Sequence, residues 1–151
     1  MKLGIIQGRL SRPIEGHQTT PSDWHKEFID MRALRLSHLE WTVDNKKLNN
    51  NPIFLDNTEK FHKKISSICF DNLVCRDFYN LEFLKPNLFN LVELLVQKDL
   101  NYITLPLVEE ATLRDDSDIN FVRKITDILL ERYSCLEINI ESDASAEKIK
   151  Q

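Results

Sequence analysis

Gln7, Arg9, Asp44, Asp71, Glu109 and Glu141 are residues of the kinds that hold ligands, and each stands at or just past the carboxyl end of a short apolar segment. Carboxylates can accept hydroxyl protons or carry a proton to and from carbon. The Arg9 guanidinium offers a planar donor fork suited to a phosphate or to sugar oxygens. Glu40 joins the set, because Glu40, Thr42 and Asp44 share one strand parity while Leu39, Trp41 and Val43 share the other. Each residue also has a structural alternative. Arg9 could close a salt bridge, and Glu40 and Asp44 could pair with Arg9 or Lys46. Asp71 could cap the turn around Asn72. Glu109 and Glu110 belong to a run of loop acids, and Glu141 on its own is equally a solvated strand-end acid.

The segments that must position these groups follow a rhythm. Period-two alternation and β-branched enrichment predict strands at Lys2 to Arg9, Leu36 to Asp44, Lys64 to Asp71, Asn101 to Val108 and Cys135 to Glu141. Helical spacing predicts one-faced stripes at Trp24, Phe28, Met31 and Leu34, at Leu84, Leu88, Leu91, Val92 and Leu95, and at Ile119, Val122, Ile125, Leu129 and Tyr133. Thr20 before Pro21 marks one helix start, and Ser117 and Asp118 are candidate caps for another. Only Asn57 to about Lys63 is left for the second helix, enough for one or two turns. Trp24 and Trp41 fall on apolar faces and read as helix-sheet core.

Strands alternating with helices imply parallel pairing and an α/β fold. Strand three sets Ile68 and Phe70 against Ser67, Cys69 and Asp71; strand five sets Leu136, Ile138 and Ile140 against Glu137, Asn139 and Glu141. Unpaired carboxylates do not point into a helix layer, so the polar parity faces a barrel axis or solvent. The expected architecture is a partial (β/α)8 TIM barrel of about five parallel strands with covering helices, forming one incomplete domain over residues 1–151.

Composition narrows the partners. The chain has 151 residues, is 42% hydrophobic and carries a formal net charge of −4, with no basic patch that would mark a nucleic-acid binder. No apolar run approaches the roughly 18 residues of a membrane span, and the amino terminus has no secretory pattern, so a cytoplasmic protein without a membrane partner is expected. Cys69, Cys75 and Cys135 lack metal-site spacing and read as buried, reduced thiols. All three glycines, Gly4, Gly8 and Gly16, fall early, with Gly4 and Gly8 on strand one, and a Gly-rich phosphate loop is excluded elsewhere. Of the histidines, His25 and His62 fall on helices, His38 lies at the amino end of strand two, and only His17 is placed to reach a site at the strand ends.

The opening Lys2-Leu-Gly-Ile-Ile-Gln-Gly-Arg-Leu-Ser11, with Leu39-Glu40-Trp41, Asn51-Pro52, Ser67-Ile-Cys-Phe-Asp71 and Ile103-Thr-Leu-Pro-Leu107, resembles the sugar-phosphate isomerase/epimerase group of xylose-isomerase-like TIM barrels. The resemblance runs from Met1 to about Asp143, and Gln-Gly-Arg-Leu-Ser is its most specific part. Two departures are a short second helix and Arg35, which stands where the group often turns out of helix one with glycine. The resemblance implies a divalent metal (manganese, magnesium or zinc) at the strand ends and a sugar or sugar-phosphate substrate. By position Glu141 resembles the strand-five glutamate that serves as metal ligand and acid/base group. Gln7, Arg9, Glu40, Asp44, Asp71 and Glu109 would line the substrate pocket. Further ligands would come from strands six to eight, which this sequence does not contain. The chain is therefore expected to be the N-terminal part of a metal-dependent isomerase/epimerase. The alternative is a non-catalytic carbohydrate-binding or interaction half-barrel completed by another chain, with self-association through exposed sheet edges.

Overall fold

A computed structural model describes residues 2–11, 20–44, 48, 50–55 and 58–145. His17, Gly16, Lys46, Asn57 and residues 146–151 lie outside the described residues. The described chain forms one sheet of five parallel strands in the order β1-β2-β3-β4-β5. These are β1 Gly4–Ile6, β2 His38–Thr42, β3 Ile65–Cys69, β4 Tyr102–Leu107 and β5 Glu137–Ser142. All five fall within or beside the expected segments. β1 is shorter than expected: it stops at Ile6, and Gly8 lies in the following turn with a positive φ of 85°, a geometry glycine adopts without strain.

The first helix, α1 (Trp24–Ala33), buries Trp24, Glu27, Phe28 and Met31, the i, i+3, i+4, i+7 stripe of a helix facing a core. Leu34 does not belong to that stripe: it is the C-cap and is exposed. The exit from α1 is a Schellman turn, in which the Arg35 amide donates to Arg32 O at 3.1 Å and the Leu36 amide to Met31 O at 2.9 Å. Arg35 takes the left-handed position, with φ of 59°. The helix also starts later than Thr20-Pro21 suggests, at Trp24, because Thr20 is buried and committed to other contacts described below.

The second crossover holds a 3-10 helix, Glu59–Lys64, in place of a longer α-helix. In the third, α2 (Leu81–Leu84) and α3 (Asn90–Gln97) run into one another through a π turn at Lys85–Phe89. Pro86 has no amide to donate, and a wide turn accommodates its ring. The last described helix, α4 (Asp116–Arg132), is capped by Asp115, whose carboxylate accepts from the Ser117 amide at 2.9 Å and the Asp118 amide at 3.1 Å. The cap is therefore two residues earlier than Ser117, and the Asp118 carboxylate accepts instead from the Arg114 amide at 2.8 Å.

One sheet face is packed beneath these helices. Leu39, Trp41, Ile68, Ile103, Leu105 and Leu107 are fully buried and belong to one core cluster with Trp24, Phe28, Leu88, Leu95 and Leu129. Truncating such a residue to Ala typically costs about 2–5 kcal/mol. The two tryptophans meet edge to face, with ring centroids 5.5 Å apart. The opposite face carries the polar parity. Its alignment depends on a register shift between β2 and β3: Leu39 pairs with Ile65, but Glu40 pairs with Ser67, leaving Ser66 as the extra residue of a bulge. No described helix is long and apolar enough to cross a membrane.

Candidate functional site

The polar face is built around Glu40. Register places Glu40 beside Ile6 of β1 and Ser67 of β3, and Cys69 beside Thr42 of β2 and Thr104 of β4. The Ser67 hydroxyl donates to Glu40 Oε2, and the Thr104 hydroxyl donates to the same oxygen at 3.3 Å. A carboxylate bridging three strands is thus oriented by two hydroxyls. Thr104 continues in register to Asn139, and Pro106 to Glu141, so the polar row reaches β5. At the amino end of β1 the His38 ring lies over Gly4, where a Cβ would meet its Nε2 at 2.1 Å. A side chain there would have to displace the His38 ring, and the contact borders a hollow of about 230 Å³ lined by Ile6, His38 and Glu40.

Cys69 records the charge on this face. Burial pushes its thiol upward first, and Glu40, Asp71 and Glu141 each push it further. It is thereby excluded as a nucleophile at neutral pH, since the thiolate is the reactive form. All three cysteines are free, but only Cys69 is buried; Cys75 is half-buried and Cys135 exposed, which corrects the expectation of three buried thiols.

Gln7 and Asp44 are drawn into the fold. Gln7 is fully buried, and its Oε1 accepts from the Thr42 amide at 3.1 Å, taking the ladder bond that β1 would have made had it continued past Ile6. Asp44, 4% exposed, accepts from the Thr20 amide at 2.9 Å. Asn51 closes the same knot: its amide donates to Thr20 Oγ1 at 3.0 Å and to Thr42 O at 3.1 Å, and its Oδ1 accepts from the Trp41 indole at 2.9 Å. Within this buried network Gln7 Nε2 and Thr42 Oγ1 have no partner.

The remaining candidates sit nearer solvent. Arg9 is exposed in the turn after β1. Asp71 is half-buried and opens the 3-10 turn Asp71–Leu73, in which Phe70 is the N-cap and no side chain caps the turn. Glu109 is exposed with a positive φ of 52°, and its amide donates to Asp143 Oδ2 at 3.3 Å. Glu110 is exposed as well, and Glu141 projects from β5 exposed. Register places Glu40 and Glu141 on the face that carries Cys69, and Asp71 follows two residues past Cys69, beyond the end of β3.

A residue with no sequence-based role is central to the loop. Glu27 of α1 is 1% exposed, and its carboxylate accepts from the Gly8 amide at 2.8 and 3.0 Å through its two oxygens. The Ser11 hydroxyl and Leu10 amide also donate to it. Burial nevertheless dominates and raises its pKa above the usual carboxylate value. The signal was present in the sequence: Glu27 is the i+3 position of the Trp24, Phe28, Met31 stripe.

The divalent metal implied by the resemblance does not fit the donors present. Among the described residues no three of His, Cys, Asp and Glu stand close enough to hold an ion, whereas structural and catalytic centres take three or more protein ligands or a dense oxygen shell. Comparison of the chain with protein-family models, with curated proteins and with solved structures finds no match.

Proposed function

We propose that this chain forms the first five βα units of a sugar or sugar-phosphate isomerase/epimerase with a xylose-isomerase-like barrel, a protein that moves a proton next to a carbonyl. The observation that carries the reading is the uninterrupted parallel order, with one face under helices and the other bearing Glu40, Cys69, Thr104, Asn139 and Glu141. A doubly wound sheet instead places a reversal of strand order at its ligand crevice. In this reading Glu141, exposed on the last strand, is the carboxylate that exchanges a proton with substrate carbon. Glu40, held by Ser67 and Thr104, accepts a sugar hydroxyl, and Arg9 contacts phosphate or sugar oxygens. No step is assigned to a metal, because among the described residues no three of His, Cys, Asp and Glu stand together to hold one.

A second reading, a half-barrel completed by another chain, is favoured by the edges. In the described sheet β1 pairs only with β2 and β5 only with β4, and Leu3, Ile6 and Ile140 are exposed at those edges. The experiment is solvent deuterium exchange into a panel of ketoses and ketose phosphates, followed by NMR, on the native chain and on Glu141→Gln. Exchange next to the carbonyl that is lost in the variant supports the isomerase reading; a folded chain that exchanges none of the panel overturns catalysis by it. Sedimentation velocity on the same samples tests the half-barrel reading, which fails if the chain remains monomeric at all concentrations.

A further inference from the structure

A hollow of about 600 Å³ lies on the outer surface between α1 and the 3-10 helix Glu59–Lys64. Its accessible apolar lining is Ile29, Leu36 and Phe61, over the buried Phe28 and Met31, with the Phe28 and Phe61 rings stacked 4.4 Å apart. Its rim is cationic: Arg32, Arg35, Lys60 and Lys64 line it, and no acid does among the described residues. Four cations around one apolar hollow run against the −4 net charge of the chain. The hollow exists because only a short 3-10 helix covers this flank of α1, which leaves Ile29 66% exposed within it.

Local structure accounts for most of this charge. Arg32 and Lys64 fall in the last turns of their helices, where cations are favoured by the terminal carbonyls. Lys60 lies over the neighbouring Phe61 ring, its Nζ 5.0 Å from the centroid, and Arg35 has no local reason. Arg35 occupies a left-handed position that favours glycine, and Lys60 stands in the first turn, where a cation is disfavoured. The two segments also run to the same end of the sheet: Arg35 lies just before β2, Lys64 directly before β3, and Leu39 and Ile65 are register partners. Cations and apolar lining are therefore presented together.

We propose that this hollow binds a small amphipathic anion, with an apolar body on Ile29, Leu36 and Phe61 and a carboxylate or phosphate head among Arg32, Arg35 and Lys64. Its size lies within the roughly 300–1,000 Å³ of small-molecule sites. It lies between the helices of the first and second crossovers, which cover the sheet face opposite the one that bears Glu40. The inference is independent of the function proposed above.

The test is isothermal titration of the chain with decanoate, decyl phosphate, 1-decanol and inorganic phosphate. The first two should bind saturably, and their ratio identifies the preferred head group; 1-decanol and inorganic phosphate should each bind at least about tenfold more weakly. Arg35→Gly should weaken anion binding about tenfold while holding or raising the melting temperature, because glycine relieves the left-handed backbone, so a loss cannot be ascribed to misfolding. Arg32→Gln with Lys64→Gln should do the same, and Arg32→Lys should retain binding. Affinity unchanged in Arg35→Gly, 1-decanol binding as tightly as decanoate, or inorganic phosphate binding as tightly as decyl phosphate would each overturn the proposal.

Discussion

Replacing Glu27 tests whether the turn after β1 is held from below by a helix. In Glu27→Ala the Gly8 amide, the Leu10 amide and the Ser11 hydroxyl lose their common acceptor in a place where the native side chain is 1% exposed. A buried donor left without a partner costs about 1–3 kcal/mol, and relaxation of the turn returns some donors to water, so a loss of about 3 kcal/mol is expected. That is a large part of the roughly 5–15 kcal/mol that holds a typical domain. Urea unfolding followed by Trp24 and Trp41 fluorescence measures it, and a loss below about 0.5 kcal/mol would refute the reasoning. The pH dependence carries a second sign. Burial raises the Glu27 pKa above 4.5, so the folded chain binds this proton more readily than the unfolded chain does. Its contribution is then most favourable below the unfolded value and declines as pH rises through the raised folded one. Glu27→Gln lacks that slope. The stability difference between native chain and Glu27→Gln should therefore widen in favour of the native chain as pH falls from 7 toward 4.5.

Two further outcomes are expected. Asp99 leaves α3 in a Schellman turn with φ of 60°, its amide donating to Val96 O at 3.0 Å and the Leu100 amide to Leu95 O at 3.0 Å. Left-handed backbone costs a non-glycine residue about 1–2 kcal/mol and glycine loses about 0.5–1 kcal/mol more entropy on folding, so Asp99→Gly should stabilise by about 0.5–1 kcal/mol, a few degrees in melting temperature. Asp99→Ala, which keeps the strain, should not; both variants lose the exposed Asn101 contact. In iodoacetamide labelling read by mass spectrometry, exposed Cys135 should react more than about tenfold faster than Cys69, whose thiol is raised by burial and three carboxylates.

Strand positions were legible because apolar and polar residues alternate cleanly in β2 and β5, and the same alternation separates the helix-covered face from the polar one. In β3 the alternation breaks at the paired serines Ser66 and Ser67, where the bulge falls, but alternation alone does not show that Ser67, and not Ser66, meets Glu40. Helix existence followed from spacing, but ends did not, because capping depends on which nearby side chain is free to turn back. Asp115 is free and caps α4, whereas Thr20 is spent on Thr42 O and cannot start α1. Among candidate site residues, strand-end position predicted neighbourhood better than use. Glu40 and Glu141 carry the polar parity of β2 and β5, while Gln7 turns inward to the Thr42 amide that the short β1 leaves unpaired and Asp44 to the Thr20 amide.

That inward turn bears on what the opening motif encodes. Gln7 supplies a ladder bond to Thr42, Gly8 supplies a positive φ, and Gly8, Leu10 and Ser11 donate to Glu27. Four of the five residues of Gln-Gly-Arg-Leu-Ser are thus accounted for by the geometry of a strand that ends after Ile6 and must turn tightly over a buried carboxylate. Arg9 alone is exposed within the motif. Recurrence of such a motif reports a shared turn before it reports a shared reaction, since any chemistry mounted on this scaffold needs the same turn. In the proposed reading a ligand role within the motif therefore rests on Arg9, and the chemistry on Glu40 and Glu141 of the polar face.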